Sequence, residues 1–566
     1  MRPSLFLRRL FGHCRRADLA SAALSRNRRG GLSRRLPLAL PLLLTLPLLL
    51  ALLLPLVVLP AQAEARAQSR DSDRRAGTAL EPLVDSVDVH IVNVDVVVTN
   101  RRGEVVRGLT REDFELYEDG DRVEITNFAV VDGGAASSQE TSASGEPKVE
   151  VAVEAEPPPP LHLVVYVDNR NLMPRNRNRL LPAVESFLER QLRPQDPVML
   201  VVSDGSLEVT QPFTEDRSAL IAAMEPLQRR TSRSMLEASE SERVASEIAR
   251  ADDNTGSDAT IQAEMFRNAR DEDILIGLDA LARFTTGLAG LPGRKAVLYL
   301  SDGFGMNNNS LVALQRITAA ANASGVTFYS LDGQGPSGPP DPETPNLEFS
   351  PDSPLSGNLT GERRRVLQQL ADDTGGFAVT NTLNFDGGLE QVGSWLTTSY
   401  SLAFSPDREA DGEFHQLEVK VKGRGLRAQH RAGYMDKARN TRLADRTLAA
   451  LQFDRELDNP LGLTLQRPPG SGELIIILPL DKLTLIPQAD AHRGQVQLLV
   501  TARDAEGNIL PARDILLPIA VPNQRMATNP PPVVGYKVQL SGEEAQLAVG
   551  AEDLVSKLGG LARATG

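Results

Sequence analysis

Four apolar runs in this chain each end on an acid: "LHLVVYVD" at Asp168, "VMLVVSD" at Asp204, "KAVLYLSD" at Asp302 and "GVTFYSLD" at Asp332. Each run is short, rich in Val, Leu and Tyr, and followed by a polar turn, the pattern of a strand buried on both faces. "FAVT" (377–380) and "YSLAFS" (400–405) continue the strand-like series. Between the first two runs Leu181, Val184, Phe187 and Leu192 recur at helical spacing. Val366, Leu367, Leu370 and Ala371 do the same and stop at Gly375 and Gly376. Strands alternating with amphipathic helices predict a doubly wound, mostly parallel α/β sheet. In such a sheet the carboxyl ends of the strands line one edge, where ligands dock. Carboxylates crowded there raise each other's pKa unless positive charge sits among them, so a cation or basic side chains are expected nearby.

The flanks read differently. Val87, Val89, Ile91, Val94, Val96 and Val98 alternate with polar residues over most of their run, and "YEDGD" carries an Asp-Gly hairpin signal at Asp119 and Gly120. This predicts an N-terminal β module over 85–131. Residues 132–160, rich in Ser, Gly, Glu and Pro, predict a disordered acidic linker. From 460 to 566, strand-like runs separated by turn residues predict a C-terminal β-sandwich. The polar stretch 229–273, helical in composition and interrupted by "DDNTGSD", reads as an inserted solvated helical hairpin that could be removed without loss of the fold.

Residues 1–35 hold many Arg against one acid, Asp18, and residues 36–63 carry no charge, so the remainder is more acidic than the −13 of the whole chain. That balance repels phosphate backbones and excludes nucleic acid as a partner. A basic leader, an apolar run and "AQA" at 61–63 predict a secretory signal cleaved after Ala63, with an uncleaved anchor over 36–59 as the alternative. The chain is therefore expected to be secreted or periplasmic, or else held at the inner membrane by that one segment. The only cysteine, Cys14, precedes the apolar run, so the exported part has no thiol chemistry.

The set "VDVVVTNRRGEVVRGLTREDFELYEDG", "QPFTEDRSALIAAM", "YLSDG", "ADDTGG" and "YSLAFSPDREADGEFHQLEVKVKGRGLRAQHRAGY" resembles the von Willebrand factor type A domain as found in exported bacterial proteins. The resemblance runs from about Val87 to the C-terminus and places the type A-like domain at 161–435, with a β extension at 400–435. It implies a metal-ion-dependent adhesion site, built from D-x-S-x-S after the first strand, a later Thr, and an Asp after the fourth strand. Mg²⁺ at such a site wants oxygen ligands in octahedral geometry.

Here the first motif aligns as Asp168, Asn169, Arg170, Asn171, Leu172, so both serines are lost, while Asp302 keeps the last position. The Thr falls in the insertion, where Thr231, Thr255 and Thr260 are the options. The resemblance thus implies a degenerate adhesion site at Asp168, Arg170, Asn171, Ser301 and Asp302, with Asp168 and Asp302 as its remaining metal ligands. A guanidinium can pair with a carboxylate, so Arg170 is expected to replace the metal by bridging toward Asp302, or else to point into water; a weak Mg²⁺ site is the other reading.

No G-x-S-x-G, H-E-x-x-H or Walker loop occurs, and His90, His162, His415, His430 and His492 lack ligand or triad spacing. Trp395 shares a helical face with Leu389, Val392 and Leu396 and reads as core. The expectation is a non-catalytic protein without cofactor, binding another protein or a cell-surface component through the type A-like domain. The alternative is an envelope scaffold whose β-sandwich makes the contacts.

Overall fold

The computed structural model describes residues 91–132, 135–140, 160–204, 206–236, 239–240, 243, 246, 256–336, 359–453, 457–526 and 532–565. The chain divides into Met1–Glu81 and Pro82–Gly566. The expected signal segment, most of the linker (141–159), Thr255 and the side chain of Thr260 lie outside the described residues. Among the described residues no helix is long and apolar enough to cross a membrane.

The first strands are β1 (Val92–Thr99), β2 (Phe114–Glu118), β3 (Asp121–Val123), β4 (Asn127–Asp132) and β5 (Ala135–Glu140). The Asp-Gly signal forms the β2–β3 turn, with positive φ at both Asp119 and Gly120. The central sheet contains β6 (His162–Val167), β7 (Val198–Ser203), β8 (Leu207–Thr214), β9 (Lys295–Ser301), β10 (Val326–Asp332) and β11 (Ala378–Val379). Its order is β11-β10-β9-β6-β7-β8, parallel throughout except for the antiparallel edge pair β7–β8. It is a six-stranded mixed sheet.

Among the helices that accompany it are α1 (Pro174–Arg190), α2 (Arg217–Met224), α3 (Gly256–Gly287), α4 (Asn308–Ser324), α5 (Leu359–Asp373) and α6 (Phe385–Thr397). Period-two alternation sends Leu163, Val165 and Val167 into one core with Leu180, Val184 and Phe187 of α1 and Trp395 of α6. Val164 and Tyr166 enter a second core with Ile274 and Leu278 of α3, Ile317 of α4 and Val366 of α5. Each fully buried Leu, Val or Phe contributes roughly 1.5–3 kcal/mol, which fixes the register of the inner strands. Local signals agree. Asp216 caps α2 through the backbone N–H groups of Ser218 and Ala219, and Asn307 opens α4 with a capping box closed by Ser310.

The chain then forms β12 (Thr398–Phe404), β13 (Phe414–Val421), β14 (Arg427–Gln429) and β15 (Gly433–Met435). These do not extend the central sheet. β12 lies antiparallel between β1 and β4, with Leu402 opposite both Val94 and Phe128, and β13 pairs with β2. Segments 91–140 and 398–435 share one core of Val94, Val96, Leu116, Phe128, Tyr400 and Leu417. The structure therefore corrects the picture of a separate N-terminal module: alternation reveals a half-buried strand but not which strand it pairs with. It also moves the start of the linker, because β5 pairs with β4 along its length.

Helix α7 (Arg439–Gln452), absent from the sequence reading, connects to β16 (Thr464–Gln466), β17 (Glu473–Pro479), β18 (Ile486–Pro487), β19 (Ala491–Arg503), β20 (Ile509–Pro522), β21 (Val533–Gln539), β22 (Gln546–Asp553) and β23 (Gly559–Thr565). These strands form two sheets, β16-β17-β21 and β18-β19-β22-β23 with β20 on β19. Leu474, Ile476, Leu478, Val496, Leu498, Leu547 and Val549 fill the core they share. α7 is gripped closely on two sides. A Cβ on Gly290 would lie 2.0 Å from the Asp445 carbonyl oxygen, and one on Gly550 would lie 2.1 Å from Thr447 Oγ1.

Candidate functional site

The strand order reverses between β6 and β9: from β6 the chain builds outward to β7, then returns to add β9 on the other side. Asp168 and Asp302 follow these two strands and so face each other across the switch point, the standard ligand crevice of open α/β sheets. Both are buried.

The Asp168 carboxylate is saturated. Its Oδ2 accepts from the Tyr299 hydroxyl, from Ser301 Oγ at 3.0 Å and from Asn171 Nδ2 at 3.0 Å; its Oδ1 accepts from the Asn171 backbone N–H at 3.3 Å. Burial pushes the Asp168 carboxyl up, and these donors pull it part of the way back. Burial beside the same carboxylate holds the Tyr299 phenol well above its ordinary value. Ser301 also accepts from the Gly303 N–H at 3.0 Å.

Asp302 is less well served. Its Oδ2 accepts from the Met173 N–H at 2.9 Å and Asn176 Nδ2 at 2.8 Å, both supplied by the start of α1. Its Oδ1 is buried and without a hydrogen-bond partner. Burial pushes this carboxyl up to about 6 despite the two donors, with the charge of Asp332 adding to the shift.

Arg170 does not bridge to Asp302, and it does not point into water. It is 2% exposed and pairs with Asp273 of α3, Nη2 to Oδ1 at 2.9 Å; Arg233 also reaches Asp273. The expected bridge does not form because α3 brings the Asp273 carboxylate to Arg170. Gly277 lies against the Arg170 side chain, where a Cβ would make van der Waals contact with Cδ at 3.4 Å.

Asn169 completes the lattice. Its Nδ2 donates to Asp204 Oδ2 at 2.9 Å and to the Thr231 carbonyl at 2.9 Å, and its Oδ1 accepts from the fully buried Arg177. Arg177 Nη2 also donates to the Arg230 carbonyl at 2.6 Å. Asp204 has Arg230 Nε at 3.5 Å, and Asp332 has Arg364 Nε at 2.7 Å. Of the four strand-end acids, Asp204 and Asp332 thus receive the expected positive charge from arginines, whereas Asp168 and Asp302 are held by neutral donors.

The insertion is consequently no detachable hairpin. Residues 229–273 supply the Arg230 and Thr231 carbonyls and Asp273, and α3 runs unbroken through 273 into Ile274, Leu278 and Leu281 of the core. Of the three threonine options, Thr231 contributes a backbone carbonyl.

This donor set does not fit a hexacoordinate divalent cation. Arg170 and Leu172 stand where hydroxyl ligands are needed, and Leu172 is wholly buried in the core. Asp168 Oδ2 already accepts three hydrogen bonds and its Oδ1 one, whereas Asp302 Oδ1 is without a partner. Gly333 closes over that atom, since a Cβ there would lie 2.9 Å from Asp302 Oδ1 and 3.0 Å from Leu172 Cδ1. Mg²⁺ takes six oxygens at close to ideal geometry, which these residues cannot supply without rearrangement.

Sequence reading missed Tyr299, Arg177, Arg230, Arg364 and Asp273 as parts of this edge. Tyr299 was readable, lying two residues before Ser301 on the same face of β9; the arginines carry no spacing signal. It also missed a group in the β body: one ligand atom each from Asp411, His415 and Asp436 lies within 4.8 Å of the others. Arg408 stands among them, 3.6 Å from Asp411 and 3.4 Å from Asp436, and bonds Glu118 through two nitrogens. A guanidinium already fills that charge.

No family model matches the chain, and no curated protein does. Solved structures similar to it include an aerotolerance-related membrane protein from Bacteroides fragilis, at 14% identity over 42% of this chain and 98% of that one, with a TM-score of 0.26. A von Willebrand factor type A protein from Catenulispora acidiphila matches at 8% identity over 85% of this chain and 74% of its own, TM-score 0.25. The manganese-loaded TRAP protein of Plasmodium vivax matches at 8% identity over 49% and 94%, TM-score 0.23. With scores this low, the fold described above rests on the strand order of the sheet itself.

Proposed function

We propose that this chain is an exported, non-catalytic binding protein with a doubly wound, type A-like central domain, whose adhesion-site acids are held without a cation by hydroxyl, amide and backbone N–H donors. In this reading the central domain engages another protein or a cell-surface component. The observation that carries it is helix α3. It holds Asp273 against Arg170 beneath the carboxyl edge, and it turns Ile261, Met265 and Ile276 into solvent, with Met265 67% exposed. Spacings of four and eleven residues put these three on one stripe of the helix. Met235 and Leu236, on the segment leading toward it, are exposed as well. Exposed Met and aliphatic side chains rimmed by charge suit protein contact.

The scaffold reading is kept alive by Ile509, Leu516 and Val533, exposed on the β-sandwich. A photo-crosslinking residue placed at Met265 or at Val533 of the full chain, in envelopes of the producing cells, separates the two. A discrete adduct from position 265 supports the central domain as the contact; an adduct from 533 alone transfers the function to the sandwich. Calorimetric titration with Mg²⁺ or Mn²⁺ should show nothing tighter than millimolar, and micromolar binding overturns the cation-free reading of the site. N-terminal sequencing of the mature protein should begin at Glu64.

A further inference from the structure

At the opposite edge of the central sheet, where β9 and β10 begin, lies a cavity of about 590 Å³ closed by β1, α7 and Leu561 of β23. Its charge is the reverse of the chain's. Arg294, Lys295, Arg431, Lys437, Arg442 and Arg446 line it against Asp95, Asp445 and Asp458, in a protein of net charge −13.

Each of the three carboxylates is taken. Asp95 pairs with Arg294 at 3.4 Å, Asp445 with Lys437 at 2.7 Å and Asp458 with Arg446 at 3.9 Å. Lys295 and Arg431 direct their hydrogen bonds to main-chain carbonyls, and Arg431 also lies over the Tyr434 ring. Lys295 Nζ donates to Leu291 O at 3.0 Å and Gly293 O at 3.3 Å, which leaves one of its three N–H bonds. Arg431 reaches Asn93 O at 2.8 Å and Asn322 O at 3.5 Å, and its Nε is buried without a partner. The two cations flank Gly325 at the C-terminal end of α4: a Cβ there would lie 3.5 Å from Arg431 Nη1 and 3.9 Å from Lys295 Nζ. Burial first, and then the neighbouring Arg431, lower the Lys295 ammonium to about 8, with Asp95 and Asp445 opposing the shift.

We infer that this cavity binds a phosphate monoester carried on an apolar body. A dianion answers the excess of positive charge better than a monocarboxylate, and a guanidinium beside an ammonium is the usual pairing for a phosphoryl group. The remaining lining is apolar, with Leu291, Ala449, Leu457 and Leu561 available to an attached chain. The site stands apart from the switch-point edge and does not depend on the adhesion-type reading.

The source of the phosphoryl group is resolved by two probes on the full chain at low salt, glycerol 3-phosphate and lysophosphatidic acid below its aggregation concentration, titrated calorimetrically. Binding of both with similar affinity identifies a soluble phosphate ester; binding of the acylated probe at least about tenfold tighter identifies a lipid phosphate. Lys295→Gln and Arg431→Gln should each weaken the bound probe about tenfold or more, whereas Arg446→Gln, whose charge is paired with Asp458, should change it by less than about threefold. Labelling of wild-type Lys295 by an amine reagent, read by mass spectrometry, needs no variant and should be suppressed by the probe. Absence of binding by either probe at millimolar concentration, or labelling of Lys295 unchanged at saturation, overturns the inference.

Discussion

Arg170 Nη2 sits 2.9 Å from Asp273 Oδ1, tying the turn after β6 to the middle of α3, with the arginine almost wholly buried and the aspartate about one quarter exposed. This asymmetry of burial makes the two partners unequal. Asp273→Asn strands a buried guanidinium and should cost about 2–4 kcal/mol. Arg170→Met removes the charge and keeps much of the volume, leaving Asp273 to Arg233 and water, and should fall within about 1 kcal/mol of wild type. Urea unfolding of both single variants and the double variant checks this; the double should resemble Arg170→Met alone.

Deleting 229–273 with a short Gly-Ser join should abolish the cooperative transition of the central domain. The deletion strips Asn169 and Arg177 of their carbonyl acceptors and cuts α3 immediately before Ile274. Differential scanning calorimetry reads the outcome, and an unaltered endotherm would return the segment to the status of a surface hairpin.

Asp302 gives a pH signature. Its folded value of about 6 lies above the unfolded value near 3.9, so the native state binds the proton more tightly. Its contribution is full below about pH 4, falls as pH rises through about 6 and is flat beyond, a loss on the order of 2–3 kcal/mol. Asp302→Asn keeps one oxygen for the Met173 N–H and Asn176 without the charge. It should flatten this window and raise the urea midpoint above pH 7.

His415 titrates in a different window. Burial lowers its pKa, but hydrogen bonds to Asp119 and Asp411 outweigh that, and the folded value ends raised, with Arg408 opposing and Glu118 near by. Stability from this group is present below the unfolded value of about 6.5 and is lost as pH rises through the elevated folded one. Thermal melts of His415→Gln should lack that decline. A wild-type melting temperature flat across this range would show that the two aspartates do not hold the proton.

The strands, their acid termini and the covering helices were legible because they depend on local period and turn chemistry. Both Asp168 and Asp302 could be placed at the edge from their position after apolar runs. Partner choice was not legible. Nothing in "VDVVVT" says that Val94 will lie opposite Leu402, and nothing in "DNRNL" says that Arg170 will find Asp273 rather than Asp302. Such pairings are decided by which surfaces meet after folding. The 229–273 boundary failed for a related reason: a polar helix and the apolar helix following it are one continuous element, and composition changes where structure does not.

The placement of β12 between β1 and β4 bears on mechanical load. The chain leaves the β body after β5, builds the whole central sheet, and returns as β12 beside the strands it left. Tension applied at Val92 and at the segment that follows Phe404 would act directly on the β1–β12 hydrogen bonds, because these two residues pair at one end of the antiparallel ladder. Such a load would peel β1 from β12 rung by rung from that end, rather than shear the whole ladder at once.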